Sequence, residues 1–215
     1  MRDAIDYYNH QGRPDKALGI MREAASRSPD KYNAELNQAL GNVFEYYKTQ
    51  DRWNSALDVM REAASRSPDE YDLELNQALR DAFDYYEAEA MWDEALDIMR
   101  EAATRNPDRY ITKLDQAVLN AFDYYRMTEN RETNLIEWDK ALNVMRDAAC
   151  RDPGKYSSEL NRAVRDAFCY YVHVEQWVEA VNAMRDATST EREKYSAELD
   201  RAVCDAFNFH RAGDR

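Results

Sequence analysis

Chemistry needs polar side chains of suitable type brought to one place, and this chain offers few candidates. Its three histidines, His10, His173 and His210, stand far apart. Cys169 and His173, four residues apart, would share one helical face, but two ligands do not make a zinc site. Cys150, Cys169 and Cys204 are odd in number and follow no common pattern, which argues against a disulfide framework and for an intracellular, reducing compartment. No glycine-rich phosphate loop, GxSxG elbow, HExxH or CxxC occurs. The sequence therefore predicts no catalytic, cofactor-binding or metal-binding residues and a non-enzymatic protein.

Acidic residues are abundant, 42 Asp and Glu against 29 Lys and Arg, for a net charge of −13. Such a charge repels nucleic acid and anionic membrane surfaces. Neither a run of apolar residues long enough to cross a bilayer nor a secretory signal is visible. Many of the carboxylates recur in one pattern. Glu35, Gln38, Asn42 and Glu45 are spaced i, i+3, i+7, i+10, which places them on one face of a helix. Their counterparts are Glu74, Gln77, Asp81 and Asp84; Lys113, Gln116, Asn120 and Asp123; Glu159, Arg162, Asp166 and Cys169; and Glu198, Arg201, Asp205 and Asn208. Ten of these twenty are acidic and three basic.

The elements that carry this face follow from an internal repeat. MREAASRSPDKY at Met21 returns as MREAASRSPDEY at Met60 and MREAATRNPDRY at Met99, then in drifted form at Met145 and Met184. The steps are 39, 39, 46 and 39 residues. A period in that range denotes one supersecondary unit stacked many times. Within the unit Ser67–Arg105, Ser67 reads as an N-cap, Pro68 as the first helical residue, and Glu70 as the closing member of a capping box. Tyr71, Leu75, Ala78, Leu79, Ala82 and Tyr86 then form one apolar stripe, and Trp92, Ala95, Leu96, Met99, Ala102 and Ala103 a second. Each unit is thus a hairpin of a long helix A and a shorter helix B.

Aligned copies place Phe44, Phe83, Phe122, Phe168 and Phe207 at one position and Trp53, Trp92, Trp138 and Trp177 at another, as core. Small residues recur where helices must approach closely, at Ala56, Ala95, Ala141 and Ala180 and at Ala63, Ala102, Ala148 and Ala187. The predicted array has helix A near 1–10, 29–49, 68–88, 107–128, 153–173 and 192–211. Helix B falls near 14–27, 52–66, 91–105, 137–151 and 176–189. The long step holds an insert within 126–137, and the last helix stands alone as a cap. Met1 aligns with Leu79, so the sequence opens inside a helix A. Further repeats or self-stacking at that end are expected.

Leu40-Gly41-Asn42, Tyr46-Tyr47, Trp53, Ala56, Ala63 and Pro68 resemble the tetratricopeptide repeat (TPR). That family places an LG pair and a Tyr in helix A, then Ala, Ala and Pro in and after helix B. From Trp53 onward the spacing matches, but helix A is longer, making 39 residues against the family's 34. The resemblance covers almost the whole chain as a single array. It implies an all-α solenoid of about five antiparallel hairpins, about eleven helices, in a right-handed superhelix.

In that family this face of helix A lines a concave groove, which the resemblance implies here as an acidic one, and Tyr46, Tyr85, Tyr124 and Tyr170 would border it. The expected role is a protein-interaction scaffold or a structural subunit of a larger assembly. Its partner would be a basic or extended protein segment, or neighbouring subunits, held by Asn42, Glu45, Tyr46, Asp81, Asp84, Tyr85, Asn120, Asp123, Tyr124, Asp166 and Tyr170. An idealised repeat protein with no natural partner is the alternative. A helical-repeat nucleic-acid binder is disfavoured by charge.

Overall fold

A computed structural model describes residues 7, 8, 10–128, 136–190, 196, 197, 200, 203 and 204, with the backbone alone for 185–190. Among the described residues there are nine complete helices. They are α1 (Pro14–Arg27), α2 (Pro29–Lys48), α3 (Trp53–Arg66), α4 (Pro68–Ala88), α5 (Trp92–Arg105), α6 (Pro107–Met127), α7 (Trp138–Arg151), α8 (Pro153–His173) and α9 (Trp177–Thr190). The expected eleven included a first helix near 1–10 and a last near 192–211, and these lie largely outside the described residues. The described residues form an all-α structure, and the chain divides into two compact units, Met1–Ile111 and Thr112–Arg215. In the first unit α1 packs on α2, α2 on α3, α3 on α4 and α4 on α5; in the second, α7 packs on α8 and α8 on α9.

Helices α2, α4 and α8 open with Pro at their first turn, where the missing N–H costs nothing. The expected capping box at Ser67 does not form. Ser67 alone separates α3 from α4, and its own backbone serves both. Its N–H donates to Ala63 O at 3.0 Å, and its carbonyl accepts from Glu70 N at 3.1 Å and Tyr71 N at 3.0 Å. The side chain is thereby released to reach back to α2, where Asn37 Nδ2 donates to Ser67 Oγ at 3.0 Å and to Glu70 Oε2 at 3.3 Å. Side-chain caps occur instead at Asp152, which accepts from Lys155 N at 3.1 Å, and at Asn106, which accepts from Arg109 N at 3.3 Å.

Four of the turns that lead into a short helix share one geometry. Gly12, Asp51, Ala90 and Glu175 all occupy the left-handed region, with φ of 63°, 55°, 57° and 61°. The next residue in each case donates to the carbonyl of a tyrosine five residues back, as Met91 N does to Tyr86 O at 2.8 Å. This is the Schellman closure of a helix C-terminus, which favours glycine at the left-handed site. Only the first turn has one.

The aligned aromatic and alanine positions form the core. Trp53, Trp92 and Trp138 are buried, as are Phe44 and Phe83, whereas Phe122, Phe168 and Trp177 are half-buried. Ala56, Ala95, Ala141 and Ala180 are wholly enclosed, and Ala63, Ala102 and Ala148 nearly so. At such sites a larger side chain would overpack, at about 1–3 kcal/mol. Phe207 lies outside the described residues, and the side chain of Ala187 is not among those described.

Charges of the recurring MRE string tie one short helix to the next. Arg22 Nε contacts both Glu62 carboxylate oxygens at 3.0 Å, and Arg61 Nε contacts both of Glu101 at 3.1 Å. Hydrogen bonding to Glu101 raises the Arg61 pKa despite partial desolvation. A second arginine at each helix end reaches back to the preceding long helix: Arg66 to Asn33 at 2.6 Å, and Arg105 to Asp72 at 2.5 Å. Exposed pairs of this kind contribute at most about 1 kcal/mol each. Their regular recurrence sets register more than stability.

Candidate partner-binding face

The residues expected to form a binding face sit on the long helices α2, α4, α6 and α8, and the structure sorts them into two rows. In the row of Asn42, Asp81, Asn120 and Asp166, the middle two are half-buried and engaged. Asp81 accepts from Lys48 Nζ at 3.0 Å, joining α4 to α2, and from Gln77 Nε2 at 2.6 Å on its own helix. The Lys48 ammonium also lies 5.8 Å from the Phe44 ring centroid and 5.7 Å from that of Trp53. Asp81 is therefore part of the helix packing. Asn120 accepts from Gln116 Nε2 at 2.8 Å.

In the other row, Glu45, Asp84 and Asp123 are exposed, and Asp123 accepts from Arg126 Nε at 2.7 Å. Asn42 and Asp166 are exposed as well. Exposed carboxylates thus stand at Glu45 and Asp84 in the first unit, and at Asp123 and Asp166 in the second. The four tyrosines beside them are all half-buried. Tyr46 donates from its hydroxyl to Gly12 O at 2.9 Å, and the Tyr170 hydroxyl accepts from Ile136 N at 2.8 Å, so these two brace the turn ahead of the preceding short helix. Tyr85 packs 6.2 Å from Trp53 and 5.4 Å from Tyr86, and Tyr124 lies 5.5 Å from Tyr125.

Sequence reasoning missed two features. The first is a polar node on α6 at Asp115. Tyr156 Oη donates to its carboxylate at 2.6 Å, Arg151 Nη2 lies at 3.0 Å, and Lys155 Nζ completes the group. Desolvation would raise the Asp115 carboxyl, but hydrogen bonds from Lys155 and Tyr156 and the charges of Lys155 and Arg151 outweigh it and hold the carboxyl below its ordinary range. The second is an open groove of about 800 Å³ between α1 and α2, floored by residues such as Met21, Ala39 and Val43 and edged by Asn42, Tyr46 and Lys31.

The insert begins and ends among described residues: Glu137 N donates to Thr128 O at 3.3 Å, and Trp138 N to Ile136 O at 2.8 Å. Residues 129–135 lie outside them, as does His210. His10 and His173 are exposed. Among the described residues no three metal-ligating side chains cluster, and no helix is long and apolar enough to cross a membrane.

No protein-family model matches this chain, and no curated protein does. Among solved structures, a tetratricopeptide repeat protein from Parabacteroides merdae is 14% identical, with 94% of this chain and 75% of that one covered and a TM-score of 0.27. So loose a superposition carries no argument about function. The chain's own packing supplies the architecture: among the described residues, long and short helices alternate, and within each compact unit neighbouring helices pack on one another.

Proposed function

We propose that this protein is a non-enzymatic interaction scaffold whose long-helix face receives a basic or extended segment of a partner protein. The observation that carries the reading is the exposure of Glu45 and Asp84 in one unit and of Asp123 and Asp166 in the other, each with a half-buried tyrosine on the same helix. Carboxylates steer Lys and Arg towards such a face, and each tyrosine ring offers a cation–π contact of about 0.5–2 kcal/mol. A net charge of −13 supports a protein partner over nucleic acid. Three exposed, unbridged cysteines suit a reducing compartment.

The test uses a fluorescent, extended Lys- and Arg-rich peptide as probe and reads its affinity by anisotropy. Reversal of Glu45, Asp84, Asp123 and Asp166 to Lys should weaken binding by more than about tenfold and flatten its salt dependence. Asp81 is left out of the set because Lys48 already holds it. Binding that survives all four reversals would remove the acidic face from consideration.

A further inference from the structure

The carboxylate set aside from the acidic face already holds an ammonium group, and its surroundings have the chemistry of a site for one. Lys48 Nζ on α2 lies 3.0 Å from Asp81 Oδ2 on α4, 5.8 Å from the Phe44 ring centroid and 5.7 Å from that of Trp53. Both rings are buried, and Tyr85 packs against Trp53 at 6.2 Å. Gln77 Nε2 donates to the other Asp81 oxygen at 2.6 Å and fixes the carboxylate. A carboxylate beside aromatic rings selects an alkylammonium by charge and by cation–π attraction. The Lys48 and Asp81 side chains are 36% and 29% exposed, so the pair can be reached from solvent. Glu45 and Asp84 stand about one helical turn away, three residues before Lys48 and three after Asp81.

The second unit shows the same position open. Arg126 and Asp166 are the repeat equivalents of Lys48 and Asp81. Arg126 turns instead to Asp123 at 2.7 Å and to the Phe122 ring at 5.5 Å. Asp166 is exposed, with no partner among the described residues. A cation held against this carboxylate is therefore not a requirement of the helix packing. Screening by solvent leaves a half-exposed pair weak enough for a second ammonium to compete.

We propose that Lys48 is a built-in occupant of this station, and that a lysine of the docking segment displaces it and takes Asp81. The inference rests on the acidic-face reading and assigns its regulation: Lys48 caps the face in the first unit until a segment with a lysine in register arrives. In the wild-type chain one ammonium replaces another, so the exchange is nearly neutral and selects for position more than for affinity. Removing Lys48 vacates the station and makes the contact measurable.

Two measurements on the intact chain test this. Lys48→Ala should lower the melting temperature, and millimolar n-butylammonium chloride should restore part of the loss where sodium chloride at equal concentration does not. The restoration should vanish in Lys48→Ala/Asp81→Asn. In the second, the fluorescent Lys- and Arg-rich peptide should bind Lys48→Ala about tenfold more tightly than wild type. Asp81→Asn should cancel that gain, yet change wild-type affinity less than about twofold. Lys48→Gln, which keeps the stem over the rings, should give the same peptide result and serves if Lys48→Ala does not melt cooperatively. Lys16→Ala removes an exposed charge from the short helix α1 and measures the gain due to net charge alone. A gain no larger than that of Lys16→Ala, or no response to butylammonium, would overturn the displacement and leave Lys48–Asp81 a packing contact, with the acidic face still standing on its four exposed carboxylates. A peptide that binds neither wild type nor Lys48→Ala removes the face itself, and the displacement with it, whatever butylammonium does.

Discussion

Replacing Asp115 removes an acceptor that three donors share, and the loss can be apportioned from its surroundings. The Tyr156 ring is 1% exposed and its hydroxyl lies 2.6 Å from the carboxylate, so the hydroxyl would be left buried without its charged partner. A hydrogen bond to an ionised group contributes about 1.5–3 kcal/mol. Arg151, with its side chain 29% exposed, adds no more than about 1 kcal/mol after screening, and Lys155 is too exposed to count. Asp115→Ala should therefore cost about 2–3 kcal/mol in urea unfolding, and Asp115→Asn, which keeps an acceptor oxygen, about half as much. Tyr156→Phe should cost about 1–2 kcal/mol alone and almost nothing on top of Asp115→Ala, a coupling of about 1–2 kcal/mol.

The pH dependence of that node has a definite sign. The carboxyl is held below its unfolded value, so its contribution is complete above about pH 4 and disappears as pH falls through the lower folded value. The gap between wild type and Asp115→Asn should close over that range. Hydrogen exchange in α7 and α8 localises the effect. Equal losses for Ala and Asn, or a coupling indistinguishable from zero, would refute the assignment of Asp115 as the shared acceptor.

Two further outcomes follow from the turns and the tyrosines. Ala90 sits at φ 57° in a Schellman turn, so Ala90→Gly should stabilise the protein by about 0.5–1 kcal/mol in the same assay, and no gain would mean that the turn is relaxed in solution. Burial, followed by the Asp139 hydrogen bond, raises the Tyr171 pKa well above its ordinary value, and burial likewise raises those of Tyr86 and Tyr156. Folding stability is then whole below about pH 10 and falls as pH climbs towards the folded values. Alkaline unfolding should coincide with a cooperative rise in phenolate absorbance, and Tyr171→Phe should soften that dependence.

The hairpins were legible because their determinants are local. Pro68 after Ser67 stops one helix and starts the next, and the three- and four-residue spacing from Tyr71 to Tyr86 can bury only as a helix. Contacts between repeats were not legible from type and spacing. Arg61 and Glu101 are 40 residues apart, and each alone looks like a solvated charge. Asp81 reads as one more member of an acidic face until the fold brings Lys48 against it. Ser67 and Glu70 satisfy the pattern of a capping box, yet a one-residue link leaves the Ser67 carbonyl to take the Glu70 and Tyr71 amides while Asn37 engages both side chains. Gly41 is the LG glycine of the repeat pattern, but a Cβ there would meet nothing within 4 Å, which accounts for Arg80, Leu119 and Arg165 at the same position.

The bridges Arg22–Glu62 and Arg61–Glu101 give the short helices a direction. The copy at Met60 offers its arginine forward to Glu101 and its carboxylate backward to Arg22, one donor and one acceptor in one repeat. A gene segment encoding one whole 39-residue period of this unit therefore carries both halves of the connection. Its duplication or loss leaves every bridge matched, whereas a cut within the period strands one. Length in this part of the chain can change by whole repeats without new residues having to evolve at the joint, which suits the near-identity of the copies at Met21, Met60 and Met99.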